Sequence, residues 1–65
     1  HSESAVLQDG INVFNILRIG GYIVFDDYEW REETKRGIDK FLEIYKEKLQ
    51  IIFKNYQVGI RKLRN

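Results

Sequence analysis

At 65 residues with a formal net charge of +1, the chain has room for one small domain and excludes an enzyme with separate cofactor and substrate lobes. It contains no Pro, Cys or Met, so no disulfide can staple it; a chain this short buries only ~60% of its unfolded surface. The lack of Cys suits a reducing, cytoplasmic setting, and the longest apolar runs, Tyr22–Phe25 and Ile51–Phe53, fall far short of the roughly 18 residues of a membrane helix.

The first periodic segment spans about Ser4 to Arg18, where Val6, Gly10, Val13, Phe14 and Leu17 recur at helical spacing. Ser2 or Ser4 suits its N-cap, and Gly10 in its middle points to a close backbone approach. Ile19-Gly20-Gly21 should end it, with a glycine in the left-handed conformation. Tyr22-Ile-Val-Phe25 then reads as a strand, and its continuous apolar character predicts cover on both faces. Asp26 to Glu33 is a polar loop leaving that strand. A second helix follows from about Glu33 to Lys48 on the stripe Ile38, Phe41, Leu42 and Tyr45, with Lys35 and Asp39 spaced to pair on its wet side.

The tail reads as two strands, Gln50–Phe53 and Tyr56–Lys62, around a Lys54-Asn55 turn. Tyr56, Val58 and Ile60 should point one way, with Gln57, Gly59 and Arg61 pointing the other. The order helix, strand, helix, strand, strand is an α/β arrangement spanning residues 1–65 as one unit. Its strand–helix–strand crossover puts the second helix on one face of the sheet. The first helix is expected on the opposite face.

Ligands of open α/β sheets gather beyond the carboxyl ends of strands, where Asp26 and Asp27 stand. Two carboxylates turning there suit a hard divalent ion such as Mg²⁺. The plainer reading is that Asp27 turns the loop and Asp26 is solvated. His1, the sole histidine, has the chemistry of a general base or metal ligand, and equally that of a frayed chain end. Tyr28 and Trp30 either form a lid over a planar substrate or pack down as a plug.

Charge is unevenly placed. Residues 1–33 hold seven acids against two bases, and residues 34–65 hold nine bases against three acids. Lys35, Arg36, Lys40, Lys46, Lys48, Lys54, Arg61, Lys62 and Arg64 have the chemistry to meet phosphates. They are interspersed with acids on the helix and otherwise cluster near the chain end, so a nucleic-acid partner is not the leading expectation. The sequence shows no Gly-rich phosphate loop and no zinc-ligand spacing.

The succession His1-Ser, Val6-Leu-x-Asp9, Leu17-x-x-Gly-Gly-Tyr-Ile-Val-Phe-Asp-Asp-Tyr-x-Trp30, Gly37-Ile-Asp-x-Phe41 and Tyr56-Gln-Val58 resembles one family. It is similar to the C-terminal part of class I S-adenosylmethionine-dependent methyltransferases of the macrocin O-methyltransferase-like group. The resemblance implies a partial Rossmann-like fold with a three-stranded mixed sheet of order 1-3-2, its last strand antiparallel between the others. It further implies that Asp26 and Asp27 bind a divalent metal holding a sugar or small-molecule hydroxyl, with His1 as base or ligand and Tyr28 and Trp30 against the acceptor. Ile19 stands where the family often has Pro, and Glu3 where an aromatic is common.

The family's cofactor loop would precede His1, so this chain alone is expected neither to bind S-adenosylmethionine tightly nor to transfer methyl groups. The non-Met start agrees with a piece of something longer. Without a preceding strand, Tyr22–Phe25 would be left as an apolar edge, open to the missing N-terminal half or to self-association. The competing expectation is a small non-enzymatic binding or assembly module that meets an acidic partner or nucleic acid.

Overall fold

The structure, a computed structural model, describes residues 2–65; His1 lies outside them. Helix α1 spans Glu3–Ile16, strand β1 Tyr22–Phe25, helix α2 Glu32–Ile44, strand β2 Leu49–Lys54 and strand β3 Val58–Lys62. Ser2 is the N-cap of α1, its hydroxyl accepting from the Ala5 N–H at 3.1 Å. Among the described residues, no helix is long and apolar enough to cross a membrane.

The sheet order is β1-β3-β2, and both pairings are antiparallel. The expectation of a mixed sheet is corrected on that point: β1 and β2 run the same way but never touch, because β3 returns between them. A bulge at Ile52 shifts the β2–β3 register, so Phe53 opposes Gly59 and its ring occupies the space a Cβ there would take.

Both helices lie on one face, which overturns the expectation that α1 would cover the other. The Phe25 side chain touches both: a Cβ on Gly10 of α1 would sit 3.4 Å from its ring, and its centroid lies 5.1 Å from that of Phe41 in α2. Glycine lets the layers meet. At Gly10 a Cβ would come within 2.9 Å of Phe41, and at Gly37 within 2.7 Å of the Glu3 carbonyl oxygen. The core between helices and sheet is built from Phe14, Ile38, Phe41, Leu42, Leu49, Val58 and Ile60. The apolar continuity of β1 therefore does not mean two covered faces. Tyr22 and Val24 remain 65% and 57% exposed on the far side.

Helix α1 stops short of its glycines. Leu17 is its extended C-cap, and Gly20 takes the left-handed conformation (φ +89°) three residues later, inside the turn that leads into β1. The helix end is closed from β3 instead. Lys62, 2% exposed, donates from Nζ to the Phe14 and Leu17 carbonyl oxygens at 2.7 Å each. Lys62, grouped by its sequence with the cations near the chain end, is thus a core-facing strand residue.

Candidate functional site

A cavity of about 320 Å³ opens between α1, β1 and the start of α2. Its apolar wall is Val6 and Val13 from α1, Ile23 and Phe25 from β1, and Ile38 from α2. Asp9, Asp26, Asp27 and Trp30 form the polar and aromatic part of the lining, with the buried Thr34, and among the described residues no lysine or arginine lines it. Val6, Asp9, Gly10 and Val13 share one helical face at i, i+3, i+4 and i+7, which is how α1 turns a carboxylate and two valines to the same groove. Asp9 and Thr34 escaped the sequence reading as site residues. For Asp9 that spacing was the available signal, whereas Thr34 had none.

The carboxyl end of β1 delivers Asp26 and Asp27 as its position predicts, but Asp26 has local duties. Its Oδ1 accepts the Asp27 N–H at 2.9 Å and the Gln57 amide at 3.1 Å, tying the end of β1 to the loop before β3. Asp27 sits at φ +58°, a left-handed conformation that aspartate tolerates better than most residues, and its carbonyl accepts the Trp30 N–H at 3.1 Å. The plainer reading of Asp27 as a turn residue thus describes its backbone, while both residues also line the cavity.

Tyr28 and Trp30 part company. Tyr28 is 5% exposed, and its hydroxyl donates to Asp39 Oδ1 at 2.5 Å. Lys35 and Lys54 ammonium groups lie 5.7 and 5.4 Å from its ring centroid. Burial and the neighbouring Asp39 carboxylate push its hydroxyl pKa up to about 12. It is a plug at the end of the sheet and does not line the cavity. Trp30 is 65% exposed at the cavity's lip, with the Arg31 guanidinium 4.6 Å over its ring. His1 lies outside the described residues.

Besides Lys62, five of the eleven basic residues are already engaged. Arg36 and Lys40 both pair with Glu3, Lys46 with Glu43 and Lys54 with Asp39, while Arg64 donates to the Glu47 carbonyl. Asp39 therefore meets Tyr28 and Lys54 rather than the Lys35 its helical spacing suggested. Among the described residues, no group of three or more His, Cys, Asp or Glu side chains is placed to hold a metal ion. Asp26 and Asp27 have the hard oxygen donors that Mg²⁺ prefers, yet two carboxylates are not a complete ligand set. Compared with protein-family models, curated proteins and solved structures, the chain matches none.

Proposed function

We propose that this chain is the C-terminal, acceptor-side portion of a metal-assisted S-adenosylmethionine-dependent O-methyltransferase, with the α1–β1 cavity as its acceptor groove. The observation that supports this reading most is the junction of fold and site: β1 ends in Asp26 and Asp27 at a groove edged by Trp30, in a sheet whose last strand runs antiparallel between the first two. Bound Mg²⁺ would lower the pKa of an acceptor hydroxyl and position it. Asp26 and Asp27 would supply two of its oxygen ligands, and the others must come from beyond the described side chains.

The chain's own contribution is binding and orientation. The apolar wall of Val6, Val13 and Ile38 keeps water from one side of an acceptor, and the exposed Trp30 face offers it a stacking surface. The three carboxylates favour an acceptor or ion carrying positive charge. His1 as the proton acceptor rests on the resemblance alone.

The test is a Mg²⁺ titration followed at the Asp26 and Asp27 amide and carboxyl resonances, repeated with Asp26→Asn and Asp27→Asn. Saturable shifts that both variants abolish support the reading, and unchanged binding in the variants removes the metal assignment. Calorimetry with S-adenosylmethionine should give no heat of tight binding; low-micromolar affinity for the isolated chain would contradict the proposed division of labour.

A second reading, a non-enzymatic assembly module, is favoured by the open outer edge of β1 and the bare Tyr22–Val24 face. With so many cations paired internally, a protein partner suits this reading better than nucleic acid. A steep salt dependence of DNA or RNA binding would reverse that preference.

A further inference from the structure

The outer edge of β1 combines unpaired backbone groups with opposite charge at its two ends. The Lys62 N–H donates to the Gly21 carbonyl, so antiparallel alternation turns the N–H and C=O groups of Ile23 and Phe25 toward β3. Those of Tyr22 and Val24 point away from the sheet, where β1 has no neighbouring strand among the described residues. Arg18 precedes the strand, and the Arg61 guanidinium lies 3.8 Å from where a Gly20 Cβ would be. Asp26 and Asp27 close the other end, with Asp9 in the adjoining groove.

We infer that this edge is covered by β1 of a second copy of the same chain, paired antiparallel about a two-fold axis at Val24. Opposed residues of an antiparallel pair share a face, and centring on Val24 keeps both helical layers on one side of the joined sheet. Ile23 then opposes the partner's Phe25 on that side. The outward N–H and C=O of Val24 bond to those of its twin.

The charges select this orientation. Antiparallel pairing brings each Asp26–Asp27 beside the partner's Gly20–Tyr22 segment, where Arg18 and Arg61 stand; parallel pairing would set acids against acids. The opposite edge, β2, is guarded by the Ile52 bulge and by Lys48 and Lys54, features that discourage edge pairing, whereas no bulge, proline or lysine interrupts Tyr22–Phe25. The Val24 register rests on the backbone edge alone, whereas the charge argument for the antiparallel orientation draws on Asp26 and Asp27 in their metal-free form.

The absence of cysteine makes the axis directly readable. In a hydrogen-bonded antiparallel pair the two Val24 Cα atoms would be about 5.5 Å apart, within the span of a disulfide. Under mild oxidation Val24→Cys should form a covalent dimer at least about tenfold faster than Ile44→Cys, an exposed control on α2, because pairing raises the local thiol concentration. Sedimentation equilibrium of the unaltered chain should show a dimer. Val24→Lys, which sets like charges across the axis at an already exposed position, should return it to monomer with an unchanged far-ultraviolet circular dichroism spectrum. Equal crosslinking of the two cysteine variants overturns the proposal. So does a millimolar monomer whose Tyr22 and Val24 amides exchange freely, or an oligomer that survives Val24→Lys.

Discussion

The Lys62 ammonium, carried by the last residue of β3, closes the C-terminus of α1 by donating to the carbonyl oxygens of Phe14 and Leu17. Its stem crosses the Phe14 ring, with Nζ 4.6 Å from the centroid. A helix end buried against a sheet leaves carbonyls that water cannot reach, and a cation there also meets the negative end of the helix dipole. One side chain thus ties the end of β3 to the C-terminus of α1.

Lys62→Met keeps the apolar stem and removes both bonds. Each bond to a charged donor is worth about 1.5–3 kcal/mol, and the Phe14 carbonyl retains the Leu17 N–H as a weaker partner, so a net loss of about 2–3 kcal/mol is expected. Urea denaturation measures it. A loss below about 0.5 kcal/mol would show that the buried cation contributes no net stability, the outcome for many buried charges once desolvation is included.

Tyr28 gives an alkaline signature. Its hydroxyl is pushed from 10.0 up to about 12 by burial and by Asp39, so the folded state holds the proton more tightly than the unfolded state. Its contribution is complete below pH 10 and is lost as the pH rises from 10 toward 12. The wild-type denaturation midpoint should fall across that window. Tyr28→Phe should begin about 1 kcal/mol less stable at neutral pH, having lost one hydrogen bond, and fall less steeply. Parallel slopes for the two proteins would remove Tyr28 as the cause.

The legible parts of the fold are those with a strong period. Ile38, Phe41 and Leu42 of α2 and Val58 and Ile60 of β3 are buried as spaced. Tyr45, read with the first group, is instead the partly buried C-cap of α2, and Tyr56, read with the second, precedes β3 and is 62% exposed. What misled was composition read without partners. The run Tyr22–Phe25 looks like a strand covered on both faces, yet whether a second layer exists depends on where α1 docks, which no local pattern encodes. Lys62 looks like a surface cation until the β3 alternation is carried two residues past Ile60, which places it inside. At the candidate site, the position of Asp26 and Asp27 follows from the strand end, but one of the two hydrogen bonds that commit Asp26 comes from Gln57, 31 residues away, beside the local one from the Asp27 N–H. Tyr28 and Trp30, two residues apart in one loop, took opposite fates: Asp39, itself part-exposed, accepts from the Tyr28 hydroxyl and lets that ring be buried.

Gly37 and Gly10 should resist the substitution that helix propensity recommends. Alanine in a helix interior gains about 1 kcal/mol over glycine. At Gly37 the new methyl would lie 2.7 Å from a backbone oxygen of α1, and at Gly10 2.9 Å from the fully buried Phe41 ring. Overpacking of this kind costs about 1–3 kcal/mol, so both variants should be net destabilised, Gly37→Ala the more because backbone cannot rotate away. A thermal melt that rises in Gly37→Ala would mean the helices separate without penalty.

Glu3 supplies the acid limb of the stability profile. Hydrogen bonds from Lys40 and Arg36 hold its carboxyl below the ordinary 4.5, with desolvation opposing them. A carboxyl lowered in the folded state contributes stability that is present above pH 4.5 and is lost as the pH falls through its folded value. Wild-type stability should therefore decline more steeply below pH 4.5 than that of Glu3→Gln, which forfeits the pairing at every pH. Salt gives an independent check, since exposed pairs are screened: raising ionic strength at pH 7 should narrow the gap between the two proteins. A gap that persists unchanged in high salt would show that charge pairing of Glu3 with Lys40 and Arg36 is not what separates the two proteins.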